Sequence, residues 1–204
     1  MYLLGLTGSI GMGKSTAAAR FRHNDVPVFD ADLAVHDLYA GTAVPHIERA
    51  FPGTTAAGRV DREKLSALLI AAPERFAELE TIVHPLVRGL EAEFLHRHAQ
   101  MGASLVVLEV PLLYETKFEA LVDAVAVVSA PALLQAKRVL ERPGMTAEKL
   151  DKLLSRQMPD AEKRRRADFI VDTGGTITNT EAQVDKLVAL LRERPGQAFA
   201  KHWQ

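Results

Sequence analysis

The stretch Gly8-Ser9-Ile10-Gly11-Met12-Gly13-Lys14-Ser15 constrains this chain more than any other. It matches G-x-x-x-x-G-K-[ST], the pattern of a phosphate-binding loop between a strand and a helix. A polyphosphate carries several negative charges that must be held close. Glycines let the backbone curl so that successive N–H groups face those charges. The helix that follows presents its positive dipole end to the same place. Lys14 can bridge the β- and γ-phosphates, and Ser15 can hold Mg²⁺, which takes oxygen ligands and keeps several waters. Gly8, Gly11, Met12, Gly13, Lys14, Ser15 and Thr16 are the expected nucleotide-binding residues. Met12 is expected to serve through its backbone N–H, with its side chain turned outward.

The flanking sequence supplies the context this motif requires. Tyr2–Thr7 is an apolar run ended by glycine, which reads as a buried strand. Lys14–His23 reads as a helix with its alanines and Phe21 on the packing side. Residues 26–29 read as a second strand, ending in Asp30-Ala31-Asp32. Strand, glycine turn, helix, strand is the start of a βαβ unit, hence of an α/β fold with a parallel sheet and a site at the carboxyl ends of its strands.

Residues 33–101 show no strand pattern. Helices are expected over 61–72, 74–84 and 85–101, the last with Leu86, Val87, Leu90 and Phe94 at helical spacing. This stretch is too long for a crossover connection and reads as a helical insertion where an acceptor could bind. Strands return at 104–110, Ala124–Ser129 and 168–172. Helices are expected over 131–142, broken by Pro143-Gly144, and over 147–156, capped by Thr146. In the last helix Thr180 and Gln183 have capping-box spacing, Val184, Leu187, Val188 and Leu191 form one apolar stripe, and Pro195 ends it. The tail beyond Pro195 is expected to fray.

Composition narrows the classes. Of 204 residues 48% are apolar, enough for a sizeable core, but only 6% are aromatic, so aliphatic side chains and alanine must build it. A net charge of −1 indicates neither nucleic acid nor a membrane surface as partner. The absence of cysteine excludes disulfides, cysteine-ligated metal and a thiol nucleophile. With no basic leader and no apolar run near the ~20 residues needed to span a bilayer, a cytoplasmic protein is expected.

Further residues carry candidate chemistry. Asp30 and Asp32 follow the second strand. Transfer of a phosphoryl group to a hydroxyl needs a carboxylate to orient or accept the proton. Asp30 reads equally as an N-cap for a helix starting at Ala31. Glu109 ends a strand in the position of an acidic group that assists Mg²⁺ through water. Residues 137–166 carry ten lysines and arginines against five acids, which suits a helical lid that brings arginine onto phosphates. Lys163–Arg166 fit this least, since four consecutive helical residues cannot face one ligand. His84-Pro85 reads as a junction between two helices, within reach of a substrate.

Together these residues resemble the dephospho-CoA kinase family. The opening LLGLTGSIGMGKST resembles its first strand and P-loop, and Asp30-Ala31-Asp32 its D-A-D segment. His84-Pro85 is similar to its H-P signature. Pro111-Leu112-Leu113-Tyr114-Glu115 is similar to P-L-L-[FY]-E. Gln135 to Arg138 with Arg142, then Arg156-Gln157, follow its Q-x-x-R-x-x-x-R and R-x-Q lid pattern, and Ala167-Asp168-Phe169 its A-D-[FY] strand entry. The likeness covers nearly the whole chain.

The resemblance implies a P-loop kinase fold in one domain: a five-stranded parallel core (about 1–32, 103–130 and 167–194), a helical CoA-binding insertion (about 33–102) and a lid (about 131–166). It implies ATP with Mg²⁺, and phosphorylation of the ribose 3′-hydroxyl of dephospho-CoA in the last step of coenzyme A synthesis. Asp32 is the implied base and Lys14 its catalytic companion. Arg138 and Arg142 are implied phosphate contacts. His84, Leu113 and Glu115 join Asp32 as implied substrate contacts. A monomer suffices for such an enzyme. The chain departs from the family pattern at Ser9, at Arg142-Pro143-Gly144 and at Asp172-Thr173-Gly174-Gly175. The rivals are a nucleoside monophosphate kinase, a nucleotide-hydrolysing switch (disfavoured by the lack of N-K-x-D) and a nucleotide-binding protein without chemistry.

Overall fold

The computed structural model describes residues 1–204. Its elements in chain order are β1 (Tyr2–Thr7), α1 (Lys14–His23), β2 (Val28–Asp30), α2 (Ala31–Leu38), α3 (Val44–Ala50), β3 (Thr55–Ala56), β4 (Arg59–Val60), α4 (Arg62–Ala71), α5 (Phe76–Gln100), β5 (Leu105–Glu109), β6 (Ala124–Ser129), α6 (Ala132–Leu140), α7 (Ala147–Leu154), α8 (Asp160–Arg166), β7 (Phe169–Asp172), α9 (Ile177–Arg192) and α10 (Ala198–His202). Two compact units emerge, Met1–Phe29 with Leu95–Gln204, and Asp30–Phe94.

The first unit is built on a parallel sheet of order β2-β5-β1-β6-β7. β1 is central: Leu4 pairs with Val107 of β5 on one side and with Ala124 of β6 on the other. The chain moves to opposite sides of β1 in its two halves, so the carboxyl end of β1 is the switch point where α/β sheets open a crevice. Every residue of β1, β5 and β6 is buried, as expected of strands covered on both faces. Tyr2, Leu4 and Leu6 alternate onto one face, where Ala17, Ala18 and Phe21 of α1 and Val184, Leu187, Val188 and Leu191 of α9 cover them. The α1–α9 packing is fastened at its edge by Arg20, whose guanidinium donates two hydrogen bonds to Asp185 at 2.7 and 2.6 Å.

The second unit has its own core of Leu38, Ala43, Ile47, Phe51, Val60, Leu65, Leu69 and Val83. Here the structure corrects the sequence reading. The helix read as an alternative from Ala31 is present as α2, and α3 is a helix that was not expected. A short antiparallel hairpin, β3–β4, stands where no strand was expected, turning at Ala57 and Gly58 with φ of 49° and 73°. Two positive φ angles match the right-handed twist of a two-residue hairpin. The two helices expected on either side of His84-Pro85 are one, α5, with Pro85 inside it. Val83, Leu86, Val87 and Leu90 pack on the core from both sides of the proline, and that burial outweighs the missing N–H.

The C-terminal third holds two more corrections. Thr176, not Thr180, caps α9, accepting from the Asn179 N–H at 3.2 Å. Thr180 is buried inside the helix and donates to the Asp172 carbonyl, which Gln183 also engages. The tail beyond Pro195 does not fray. It forms α10 and buries Trp203, whose indole N–H donates to the Leu121 carbonyl at 2.9 Å. Asp123 ties this tail to the sheet: its Oδ1 accepts from the Gln197 and Ala198 N–H groups and its Oδ2 from Leu3 of β1. No helix is long and apolar enough to cross a membrane.

Candidate active site

The glycines of the loop between β1 and α1 have no room for side chains. A Cβ on Gly8 would lie 2.6 Å from the Val128 carbonyl oxygen of β6. One on Gly11 would lie 2.5 Å from Val139 Cγ2 on α6, and Gly11 and Gly13 have φ of +78° and +85°, a region that favours glycine. The loop is therefore pressed between β6, α6 and the turn after β7. Met12 corrects the expectation of an outward side chain. It is 2% exposed, its Sδ accepts from the Ala130 N–H, and its carbonyl accepts from the Thr173 hydroxyl at 2.6 Å. Ile10 is held from two sides: its carbonyl accepts from Gln135 Nε2 at 2.8 Å and its N–H donates to Gln157 Oε1 at 3.2 Å.

Lys14 opens α1 with its ammonium 3.4 Å from Glu109 Oε1 at the end of β5. Arg22 Nη2 approaches the other oxygen of that carboxylate at 3.9 Å. A buried carboxylate is tolerable because two cations face it. The first turn of α1 holds no acidic residue, so its dipole end and Lys14 are left to attract anions. Ser15 is exposed and Thr16 half-buried in the same turn. No group of three His, Cys, Asp or Glu has metal-binding geometry. Ser15 at the start of α1 offers a hydroxyl oxygen, a donor type that Mg²⁺ takes alongside phosphate oxygens and water.

The other expected site residues have different local settings. Asp30 is a cap: its Oδ1 accepts from the Leu33 N–H at 3.0 Å. Asp32 is exposed in the first turn of α2. His84 is exposed in mid-helix on α5, not at a helix junction. Leu113 is fully buried, and its Cδ1 occupies the space that a side chain at Gly5 would fill, so it serves the core rather than a surface. Glu115 accepts from the Met158 N–H at 2.7 Å and pairs with the Lys163 ammonium at 3.0 Å. Arg138 donates to the hydroxyl and carbonyl of Thr173 at 3.3 and 2.7 Å, and Arg142 is exposed just beyond α6.

The basic run on α8 is taken up by the protein itself. Lys163 is fully buried, Arg164 reaches the Ser129 hydroxyl at 3.4 Å and Arg165 pairs with Glu162. Arg166 pairs with Glu119 and lies 4.4 Å from the Tyr114 ring centroid. Burial, aided by the charge of Asp168, pushes the Tyr114 phenol up to about 12. Sequence reasoning gave Gln135, Gln157 and Thr173 no individual role, and placed Lys163 only in the basic run of the lid. The two glutamines were visible inside the lid motifs, but nothing marked the Ile10 backbone as their target.

Comparison with known proteins sets these residues in a family. The profile described as Dephospho-CoA kinase matches residues 2–179. A dephospho-CoA kinase of Rhizobium meliloti (strain 1021) is 56% identical over 192 residues, covering 94% of this chain and 99% of that one. One of Brucella melitensis biotype 1 is 52% identical over 198 residues, covering 97% and 99%. Among solved structures, a crystal structure of a Thermus thermophilus protein superposes with a TM-score of 0.82 at 36% identity over 93% of this chain and 97% of that one. A dephospho-CoA kinase from Campylobacter jejuni shares the fold with a TM-score of 0.70 at 23% identity, over 94% and 97%.

Proposed function

The chain belongs to the dephospho-CoA kinase family, and we propose that it moves the γ-phosphate of ATP onto the ribose 3′-hydroxyl of dephospho-coenzyme A, giving coenzyme A and ADP. The observation that carries this reading is a loop whose Gly8 and Gly11 have no room for a Cβ, closed by a lysine at the start of α1. Phosphoryl transfer needs little covalent help from a protein. Positioning and neutralisation of charge supply most of the rate.

The loop amides and the start of α1 hold the phosphates, and Lys14 exchanges Glu109 for the β- and γ-phosphates. Ser15 is the protein ligand for Mg²⁺, which neutralises phosphate charge when bound. Asp32 orients the acceptor hydroxyl and takes its proton. Arg142, exposed on the lid of residues 131–166, closes on the phosphates, while Arg138 holds the Thr173 turn beside the loop. The unit Asp30–Phe94, with His84, receives the CoA moiety. Glu109 stays buried when Lys14 leaves it, with Arg22 as its remaining cation. The protein works as a monomer in the cytoplasm.

The test offers purified protein ATP and Mg²⁺ with dephospho-CoA and follows ADP. Release of ADP that depends on dephospho-CoA supports the reading. Equal release with water alone moves it to a hydrolase.

A further inference from the structure

Lys163 is the anomaly of this chain. A lysine with no exposed surface is rare, because an ammonium loses its hydration on burial. A leucine would fill the same space without that cost, so the charge is retained for what it holds. Its Nζ lies 3.0 Å from Glu115 Oε1 and 3.3 Å from the Pro111 carbonyl. That carbonyl also accepts from the hydroxyl of Thr7, the last residue of β1. The carboxylate oxygen that meets Lys163 also accepts from the Met158 N–H. Met158 follows Gln157, whose side chain takes the N–H of Ile10 inside the glycine loop.

We propose that Lys163 and Glu115 are positioning residues for the glycine loop: the ion pair of buried Lys163 with half-buried Glu115 pins the segment between α7 and α8 so that Gln157 can hold the backbone of Ile10. Three links connect the ends of this chain of contacts. α8 is fixed to the loop after β5 by Lys163 and Glu115. Met158, two residues before α8 on the same segment, donates its N–H to that carboxylate. Gln157, one residue earlier, reaches the N–H of Ile10 in the loop, while Gln135 holds the carbonyl of the same residue. Glu115 is thereby assigned to the protein's own scaffold instead of to the acceptor. The loop's curvature depends on a lysine that never meets the nucleotide.

The test rests on the transfer reading only for the choice of nucleotide. ATP affinity is measured by calorimetry with Mg²⁺ and without acceptor, and KM for both substrates in the transfer assay. Gln157→Ala and Lys163→Met should each weaken ATP binding on the order of tenfold, the scale of one buried hydrogen bond. The double variant should be no weaker than the worse single one, because both changes cut the same chain of contacts. Glu115→Gln should match Lys163→Met and serves in its place if the latter fails to fold. KM for dephospho-CoA should stay within about twofold in all of them. Effects that multiply in the double variant would overturn the proposal, as would a Glu115→Gln effect confined to dephospho-CoA. Wild-type protein that bound ATP without transferring it would count against the acceptor, and the anchor would still stand or fall on the measured affinities.

Discussion

The ammonium of Lys14 rests 3.4 Å from a carboxylate oxygen of Glu109, whose side chain is only 7% exposed. The lysine is thus held at the start of α1 by a partner that, under the proposed function, a triphosphate displaces. Replacing Lys14 by methionine removes the mobile cation while keeping the apolar stem. kcat/KM for transfer should fall on the order of a thousandfold, and the melting temperature should fall as well, because Glu109 keeps only Arg22 as a facing cation. Steady-state kinetics beside a thermal melt checks both halves.

Asp32→Asn keeps the shape of the exposed side chain in the first turn of α2 and removes its basicity. ATP affinity should be unchanged and kcat should fall about a hundredfold or more. Unimpaired kcat in this variant would remove Asp32 from the mechanism.

Gly11→Ala asks a Cβ to fit 2.5 Å from Val139 Cγ2 and 3.0 Å from the Gln135 carbonyl, at φ of +78°. Both the contact and the backbone angle oppose it. Calorimetry should find ATP bound at least roughly tenfold more weakly, since the loop must open to admit the methyl group.

Glu91 predicts a pH signature for the Asp30–Phe94 unit. Burial pushes its carboxyl up to about 7, against the opposing charge and hydrogen bond of Arg88. A folded-state value above the unfolded one gives stability that is complete below about pH 4.3 and lost as pH rises through about 7. Thermal melts of wild type and Glu91→Gln should therefore diverge with rising pH, the wild type losing ground to the variant across that window. Parallel curves would contradict the assignment.

Trp203→Ala tests the C-terminal clasp. The indole is 7% exposed, packs near Phe118 with ring centroids 6.2 Å apart and donates to Leu121. The substitution should cost about 3 kcal/mol in chemical denaturation.

The central strands were legible because their signals are local. β1, α1 and β6 have the bounds read from the sequence, each set by an apolar run or by the glycine-to-lysine switch of the loop. Long-range competition hid the rest. Pro85 reads as a break, yet the apolar stripe of α5 keeps its register through it. Thr180 and Gln183 have capping spacing, but the Asp172 carbonyl engages both. Trp203 looked like part of a loose tail because its partners, Phe118 and Leu121, lie some eighty positions earlier. In the candidate site the motif residues were readable, while the side chains that hold them were not. The Met12 side chain turns inward to the Ala130 N–H, while the Thr173 hydroxyl holds its carbonyl. The basic run on α8 reads as the poorest fit to a ligand surface, and its acids, Glu115, Glu119 and Glu162, account for it.

The most direct test of the account follows where the phosphoryl group goes. Purified protein receives ATP and Mg²⁺ with equal amounts of dephospho-CoA and AMP, and the products are resolved by phosphorus NMR and mass spectrometry. The account predicts one new phosphomonoester on the ribose 3′-hydroxyl of dephospho-CoA, with AMP untouched. Phosphorylated AMP beside unaltered dephospho-CoA would contradict it.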